Sequence, residues 1–295
     1  MTTKLASMAS ERRIRFGPAG NSASFYEQGH KRSDEIPRWL NELGLDAYEY
    51  SFGRGVRLTE SLAGSMRDES RKFDVALSVH APYYINLANP SEETRIKSRK
   101  YLFDSAKMAS VMGATRVIFH AGSSAGQDRA EALKLAMMEL ELVLAGLQEQ
   151  GLGEMILCPE TMGRPTQLGT LDEVLALCRL GSNVYPAIDF GHINALEQGS
   201  LKTADDFRRI VDSIGARLGS EKCDGFHAHF SHIQYGNKGE IKHLTFEDHD
   251  YGPEFDPLAQ VLCERGLHPV IICESRDVMA EDALRMKAIY AALSC

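Results

Sequence analysis

Residues 76–122 read ALSVHAPYYINLANPSEETRIKSRKYLFDSAKMASVMGATRVIFHAG. Two short β-type runs, ALSVHAP (76–82) and RVIFHAG (116–122), flank a longer stretch with helical spacing. Each run reaches a histidine near its end. Ser91 can cap the free N–H groups of a helix over 91–112, and Gly113 stops that helix by tolerating positive φ. A strand, a helix and a second strand in this order form a crossover unit, which makes the two strands parallel.

The unit recurs along the chain. Six further runs have strand character: 14–20, 47–52, 155–161, 184–190, 225–231 and 269–275. Several are continuously apolar, as strands buried on both faces are. Helices are expected over 34–43, 59–73, 127–150, 203–218, 256–265 and 280–293, and Thr170-Leu171-Asp172-Glu173 has capping-box spacing. Over 127–150 the apolar stripe reads Ala132, Leu135, Ala136, Met138, Leu142 and Leu144. Eight units predict an α/β chain closed into a (β/α)8 TIM barrel. It is expected as a single domain over 13–295, behind a flexible tail at 1–12. The rival is an open doubly wound sheet, but FGPAGN (16–21) is a poor match to the glycine-rich phosphate loop G-x-G-x-x-G.

The chain has 295 residues, 43% hydrophobic and 25% charged, which excludes wholesale disorder. With 33 Lys+Arg against 41 Asp+Glu the net charge is −8. That excess argues against a coat of nonspecific basic surface, and leaves nucleic-acid recognition to local patches or bound metal. No apolar run approaches the roughly 18–20 residues of a membrane span, so no membrane partner is expected. Residues 1–12 lack a continuous apolar stretch, which predicts a cytoplasmic protein without a secretory leader. The six cysteines form no C-x-x-C, and are read as reduced packing residues.

Chemistry-bearing residues stand where the strands end. His80, His120 and Glu160 close the third, fourth and fifth runs; Asp189 and His192 close the sixth; His227 and His229 lie in the seventh; Glu274 closes the eighth. Singly, each has a structural reading: a hydrogen-bonded histidine, an aspartate turn, a salt-bridged glutamate. Together they reach the C-terminal ends of six successive strands, which converge on the face where barrel active sites sit. Imidazole nitrogen and carboxylate oxygen suit Zn, Mn or Fe. The long segment 231–253 stands at the same mouth, and is expected to act as a lid or substrate contact.

In order along the chain stand VHAPYYINLANP (79–90), FHAGS (119–123), PET (159–161), AIDFGHINA (187–195), AHFSH (228–232) and ICES (272–275). This series resembles endonuclease IV, a family of metal-dependent enzymes that cut DNA at abasic sites. The resemblance covers nearly the whole chain, and the block H-x-x-Y-x-I-N-L-x-x-P is its most specific part. The framework E…D-x-x-H…H…E is shared with the wider xylose-isomerase-like barrels. The resemblance implies two or three metals per chain, usually Zn2+, with Mn2+ or Fe as alternatives. His80 and His120 resemble ligands of a first metal, and Glu160 the catalytic carboxylate bridging first and second. Asp189, His229 and Glu274 resemble the second metal's other ligands, and His192 a ligand of the third. Tyr83 falls where the family has a DNA-contacting tyrosine.

The family completes its third metal with an Asp-x-His pair, where this chain reads Gly239-Glu240-Ile241-Lys242-His243. If Glu240 takes the acid's place, Lys242 replaces the histidine, and a protonated lysine has no lone pair to give. Three outcomes stay open: a weaker site, one rebuilt from Glu240 and His243, or none. The implied reaction is hydrolysis of the phosphodiester 5′ to an abasic site by metal-bound hydroxide. The abasic sugar flips into the mouth, and Tyr83 or Tyr84 wedges into the gap. Arg54, Arg57, Lys238 and Lys242 are candidate phosphate contacts, and the protein is expected to act as a monomer. The alternative is a sugar isomerase or epimerase using one divalent metal at Glu160, Asp189, the strand-seven histidine and Glu274. A third reading is a noncatalytic DNA- or metal-binding barrel.

Overall fold

Each of the eight predicted runs contains a strand. In order they are Arg15–Pro18, Ala47–Ser51, Ala76–His80, Arg116–Phe119, Ile156–Pro159, Ala187–Asp189, His227–Phe230 and Val270–Cys273, called strands one to eight below. The computed structural model describes residues 12–293, so the expected tail lies outside the described residues except for Arg12, which ion-pairs with Asp224. Strands two to five form one parallel sheet; strands six, seven, eight and one form another. Single parallel bridges, Ala19 to Glu49 and Glu160 to Ala187, join the two sheets. The result is the predicted closed (β/α)8 barrel.

The seam between strands one and two is tight. A Cβ at position 17 would lie 1.7 Å from the Ala47 carbonyl oxygen, so only glycine lets the two backbones approach this closely. Main helices span Ile36–Leu43, Glu60–Phe73, Glu92–Met112, Arg129–Glu149, Leu171–Leu177, Ala204–Leu218, Asp256–Arg265 and Met279–Ala291. Thr170 and Glu173 form the expected capping box, and Gly113 ends its helix at φ 71°. Ser91 occupies the N-cap position but makes no side-chain cap bond. The stripe of Arg129–Glu149 differs from the expected one: Met138 and Leu142 are exposed, and the buried face is Ala132, Ala136, Glu139, Leu140, Val143 and Leu147. Glu139 turns inward because Arg95 and Arg99 of the preceding helix neutralise it, with Arg95 Nε at 2.7 Å. Cys158, Cys178, Cys223 and Cys273 are free and buried, whereas Cys263 is disulfide-bonded, against the expectation that all six stay reduced. No described helix is long and apolar enough to cross a membrane.

Alternation along the strands decides what faces inward. Val79, Val117, Phe119, Leu157, Ile188, Ala228, Phe230 and Ile271 point out and join the main core under the helices. Ile118, Cys158 and Ala187 point in and form a separate apolar plug. Two residues farther along the same strands come His120, Glu160 and Asp189, on the same face. The plug thus floors a polar mouth.

Gly17→Ala is expected to destabilise the fold by about 1–3 kcal/mol, because the added methyl forces the two strands apart. Chemical denaturation of both proteins checks this. An unchanged midpoint would mean that the seam yields.

Candidate metal centre

Glu160 stands at the centre of the mouth and is buried. Its Oε2 lies 3.0 Å from His80 Nε2 and 3.2 Å from His120 Nε2. Its Oε1 lies 3.1 Å from His229 Nδ1 and 3.4 Å from His192 Nδ1. Two donor groups therefore share one carboxylate. His80, His120 and Glu160 bring donor atoms within 4.8 Å of one another, and so do Glu160, Asp189, His229 and Glu274. Asp189 caps the helix Phe190–Leu196, whose first turn carries His192, and so serves structure and site together. Asp189 Oδ1 accepts the His192 N–H at 2.7 Å, while Oδ2 stays buried without a hydrogen bond.

A third group, His192, Glu240 and His243, meets the same distance limit. Segment 231–253 is not a bare loop: it contains an antiparallel hairpin, Ile233–Gly236 and Gly239–His243. Gln234 pairs with Lys242, but the next residue, Tyr235, pairs with Glu240. Ile241 is thus a bulge residue, and a bulge breaks alternation. Glu240 and His243, three apart, both reach the mouth, and Lys242 lines an adjoining groove with Arg276. Of the three outcomes left open by the sequence, this geometry matches the group rebuilt from Glu240 and His243. The hairpin is held down by the Glu240 N–H on the Gly163 carbonyl at 2.9 Å. Gly239, at φ 83°, passes where a Cβ would strike that carbonyl.

Ring orientation is fixed from behind. His80 Nδ1 is 2.8 Å from the Ala81 carbonyl and His192 Nδ1 is 3.0 Å from that of Thr161, so each donates there and keeps the Nε2 lone pair for the mouth. His229 is turned the other way, with Nδ1 toward Glu160 and Glu274 and Nε2 3.0 Å from Glu49 Oε1. Glu49, fully buried in the middle of strand two, was not singled out from the sequence. The signal that marks it is a lone acid in the aromatic run Ala47-Tyr48-Glu49-Tyr50, at an inward position.

The mouth cavity measures about 460 Å³ and is lined by members of all three groups, Glu160 and Glu274 alone representing the second. Burial opposes charge on Glu160, but His229, His120 and His192 outweigh it and hold the carboxyl well below its usual range. Burial disfavours charge on His80 and His192 too, yet Glu160 lifts His80 to about 9, and Asp189 with Glu160 lifts His192 to about 10. Burial and the nearby Glu274 and Glu160 raise Asp189, against His192. Acidic oxygens this crowded need compensating positive charge, which protons or divalent cations can supply. The donor set is imidazole nitrogen and carboxylate oxygen, which fits zinc-type ions.

The expected phosphate contacts scatter around the rim. Tyr83 lines the mouth with its hydroxyl 3.1 Å from Arg54 Nε. Tyr83 and Tyr84 are 48% and 51% exposed with ring centroids 4.7 Å apart, so they form a solvent-facing pair and not a packed cluster. Arg54 and Arg57 line a groove that shares Ser51 with the mouth. Lys238 lies exposed in the hairpin turn. His227, beside His229, faces Glu49 below the mouth with Nε2 at 2.9 Å from Oε2.

The sequence profile described as xylose isomerase-like TIM barrel matches residues 37–289. An uncharacterized protein of Methanocaldococcus jannaschii is 31% identical over 249 residues, covering 84% of this chain and 88% of its own. A probable endonuclease 4 of Aquifex aeolicus is 26% identical over 227 residues, 76% of this chain and 78% of its own. A solved structure of a D-tagatose 3-epimerase-like protein superposes with a TM-score of 0.71 at 20% identity, covering 95% of this chain and 96% of that one. That last likeness carries the fold alone.

Because His80 and His192 hold protons above the ordinary value of 6.5, the chelated chain gains stability from them that is fully present below that pH. Its thermal midpoint is expected to fall as pH rises through about 9 and about 10. Calorimetry of the chelated protein across this window checks the sign, and a midpoint that climbs would contradict it.

Proposed function

The chain belongs to the xylose isomerase-like TIM barrel family, and we propose that it is a DNA-repair endonuclease hydrolysing the phosphodiester 5′ to abasic sites. The observation that carries this reading is Glu160 shared between two donor groups, with a third group beside them. A mononuclear sugar site has no use for His80 and His120 as ligands; a polynuclear phosphodiesterase does. The name probable endonuclease 4 of the Aquifex aeolicus relative supports the same reading.

The residues fit two or three zinc-type cations. His80, His120 and Glu160 would hold one; Glu160, Asp189, His229 and Glu274 a second; His192, Glu240 and His243 a third. Bound there, divalent cations lower the pKa of water and offset the charge that develops on phosphate and leaving oxygen. Glu160, with an oxygen for each of two groups, sets their spacing. The narrow mouth excludes a straight duplex, so the abasic sugar must flip in, and the missing base lowers the unstacking cost. Tyr83 and Tyr84 form the wedge for the gap, with Arg54 holding the Tyr83 hydroxyl. Arg54, Arg57, Lys238 and Lys242 supply the local positive charge that a chain of net −8 needs against DNA.

The second reading is an epimerase. It is favoured by the group Glu160, Asp189, His229 and Glu274, which is complete without the others.

Metal counting followed by incision of a duplex carrying one tetrahydrofuran residue tests the two readings. Two or three ions per chain and a nick 5′ to the tetrahydrofuran are expected with Zn, Mn or Co. Glu160→Gln should cut incision at least about 100-fold, since even an outer partner of a ligand costs about 10–100-fold. One tight ion with no nick, but turnover of a ketohexose, would replace the nuclease by the epimerase.

A further inference from the structure

We propose that Glu49 is the positioning residue of the second cation group, holding His229 by its Nε2 edge so that Nδ1 faces Glu160 and Glu274. This rests on the cation-binding reading of the mouth. His80 and His192 donate Nδ1–H to backbone carbonyls and offer Nε2. His229 offers Nδ1, at 3.1 Å from Glu160 Oε1 and 3.5 Å from Glu274 Oε2. A histidine that coordinates through Nδ1 must carry its remaining proton on Nε2, and here that edge points into the barrel. Both residues are buried, Glu49 bordering the floor of the mouth cavity and His229 having no exposed surface. Glu49 Oε1 stands 3.0 Å from Nε2, an ion-pair contact without hydrogen-bond alignment, and both atoms are otherwise buried without a hydrogen-bond partner. The carboxylate is therefore the only complement for the inward edge among the described residues.

Glu49 is itself anchored. Its Oε2 accepts the Ser78 hydroxyl at 2.9 Å from the adjoining strand and lies 2.9 Å from His227 Nε2 one layer below. With Oε2 occupied, Oε1 is left for His229. The same three residues, Glu49, His227 and His229, also lie close enough to hold an ion of their own. Such an ion would need the Nε2 lone pair of a ring whose Nδ1 already serves the mouth, and so a ring stripped of both protons. The carboxylate–histidine relay uses the same atoms with the ring neutral. A carboxylate behind a ligand histidine fixes its tautomer and makes it a stronger donor.

The test is Co2+ titration of the chelated full-length protein, read by visible absorption and by bound metal, for wild type, Glu49→Gln and Glu49→Ala. Circular dichroism of each chelated protein reports folding. The wild type should bind at least two ions. Glu49→Ala should weaken one of them by about 10–100-fold and alter its absorption band, while the His80–His120 ion stays. Glu49→Gln keeps the shape and an acceptor oxygen but not the charge, so partial recovery is expected. Folded Glu49→Ala or Glu49→Gln that binds Co2+ with wild-type stoichiometry, affinity and spectrum would overturn the proposal. If Glu49→Ala does not fold, Glu49→Gln decides by the same comparison. A wild type that binds no Co2+ would overturn the cation-binding reading itself.

Discussion

The mouth is organised by one carboxylate that is almost wholly buried. Glu160 sits over an apolar plug, with two imidazoles against one oxygen and two more against the other. A buried carboxylate is costly unless its charge is met. Everything around it meets that charge from a different part of the barrel: His80 from strand three, His120 from the end of strand four, His192 from the helix Phe190–Leu196 after strand six and His229 from strand seven. The barrel has to close for this to happen, because strands three and seven never pair. Closure in turn depends on the backbone contact at Gly17, which no side chain allows.

Much of this was legible because a barrel converts sequence order into position. Once eight strand-and-helix units are counted, every residue at a strand's C-terminal end shares one rim. Period-two alternation then turns His120, Glu160 and Asp189 to the same side as Ile118, Cys158 and Ala187. No long-range contact has to be guessed for those six. The helix ends were equally readable where local chemistry sets them, as at Thr170 with Glu173 and at Gly113.

The parts that stayed hidden depend on partners far away in sequence. Glu139 looks like a solvent-facing acid until Arg95 and Arg99, on another helix, make its burial tolerable. Glu49 looks like an accident in an aromatic strand until His227 and His229 arrive from across the barrel. The hairpin bulge is hidden for another reason: alternation is the rule used to read strands, and the bulge suspends it at Ile241. Spacing alone left the third group weaker, rebuilt from Glu240 and His243, or absent. The unpaired residue makes the difference, because it lets positions 240 and 243 face one way.

Fold likeness does not separate a nuclease from an epimerase in this family, since the same strands carry Glu160, Asp189, His229 and Glu274 in either reading. The separation lies in what strands three and four add. Two imidazoles on the far oxygen of Glu160 would let this carboxylate serve two cations, where the epimerase reading needs it for one. Both oxygens of Glu160 face donor groups on opposite sides. In the proposed nuclease, committing both oxygens would gain a second centre of positive charge, and Glu274 would remain as another carboxylate at the mouth. A second positive centre suits the cleavage of a phosphodiester, where negative charge gathers on the phosphate and on the departing oxygen together.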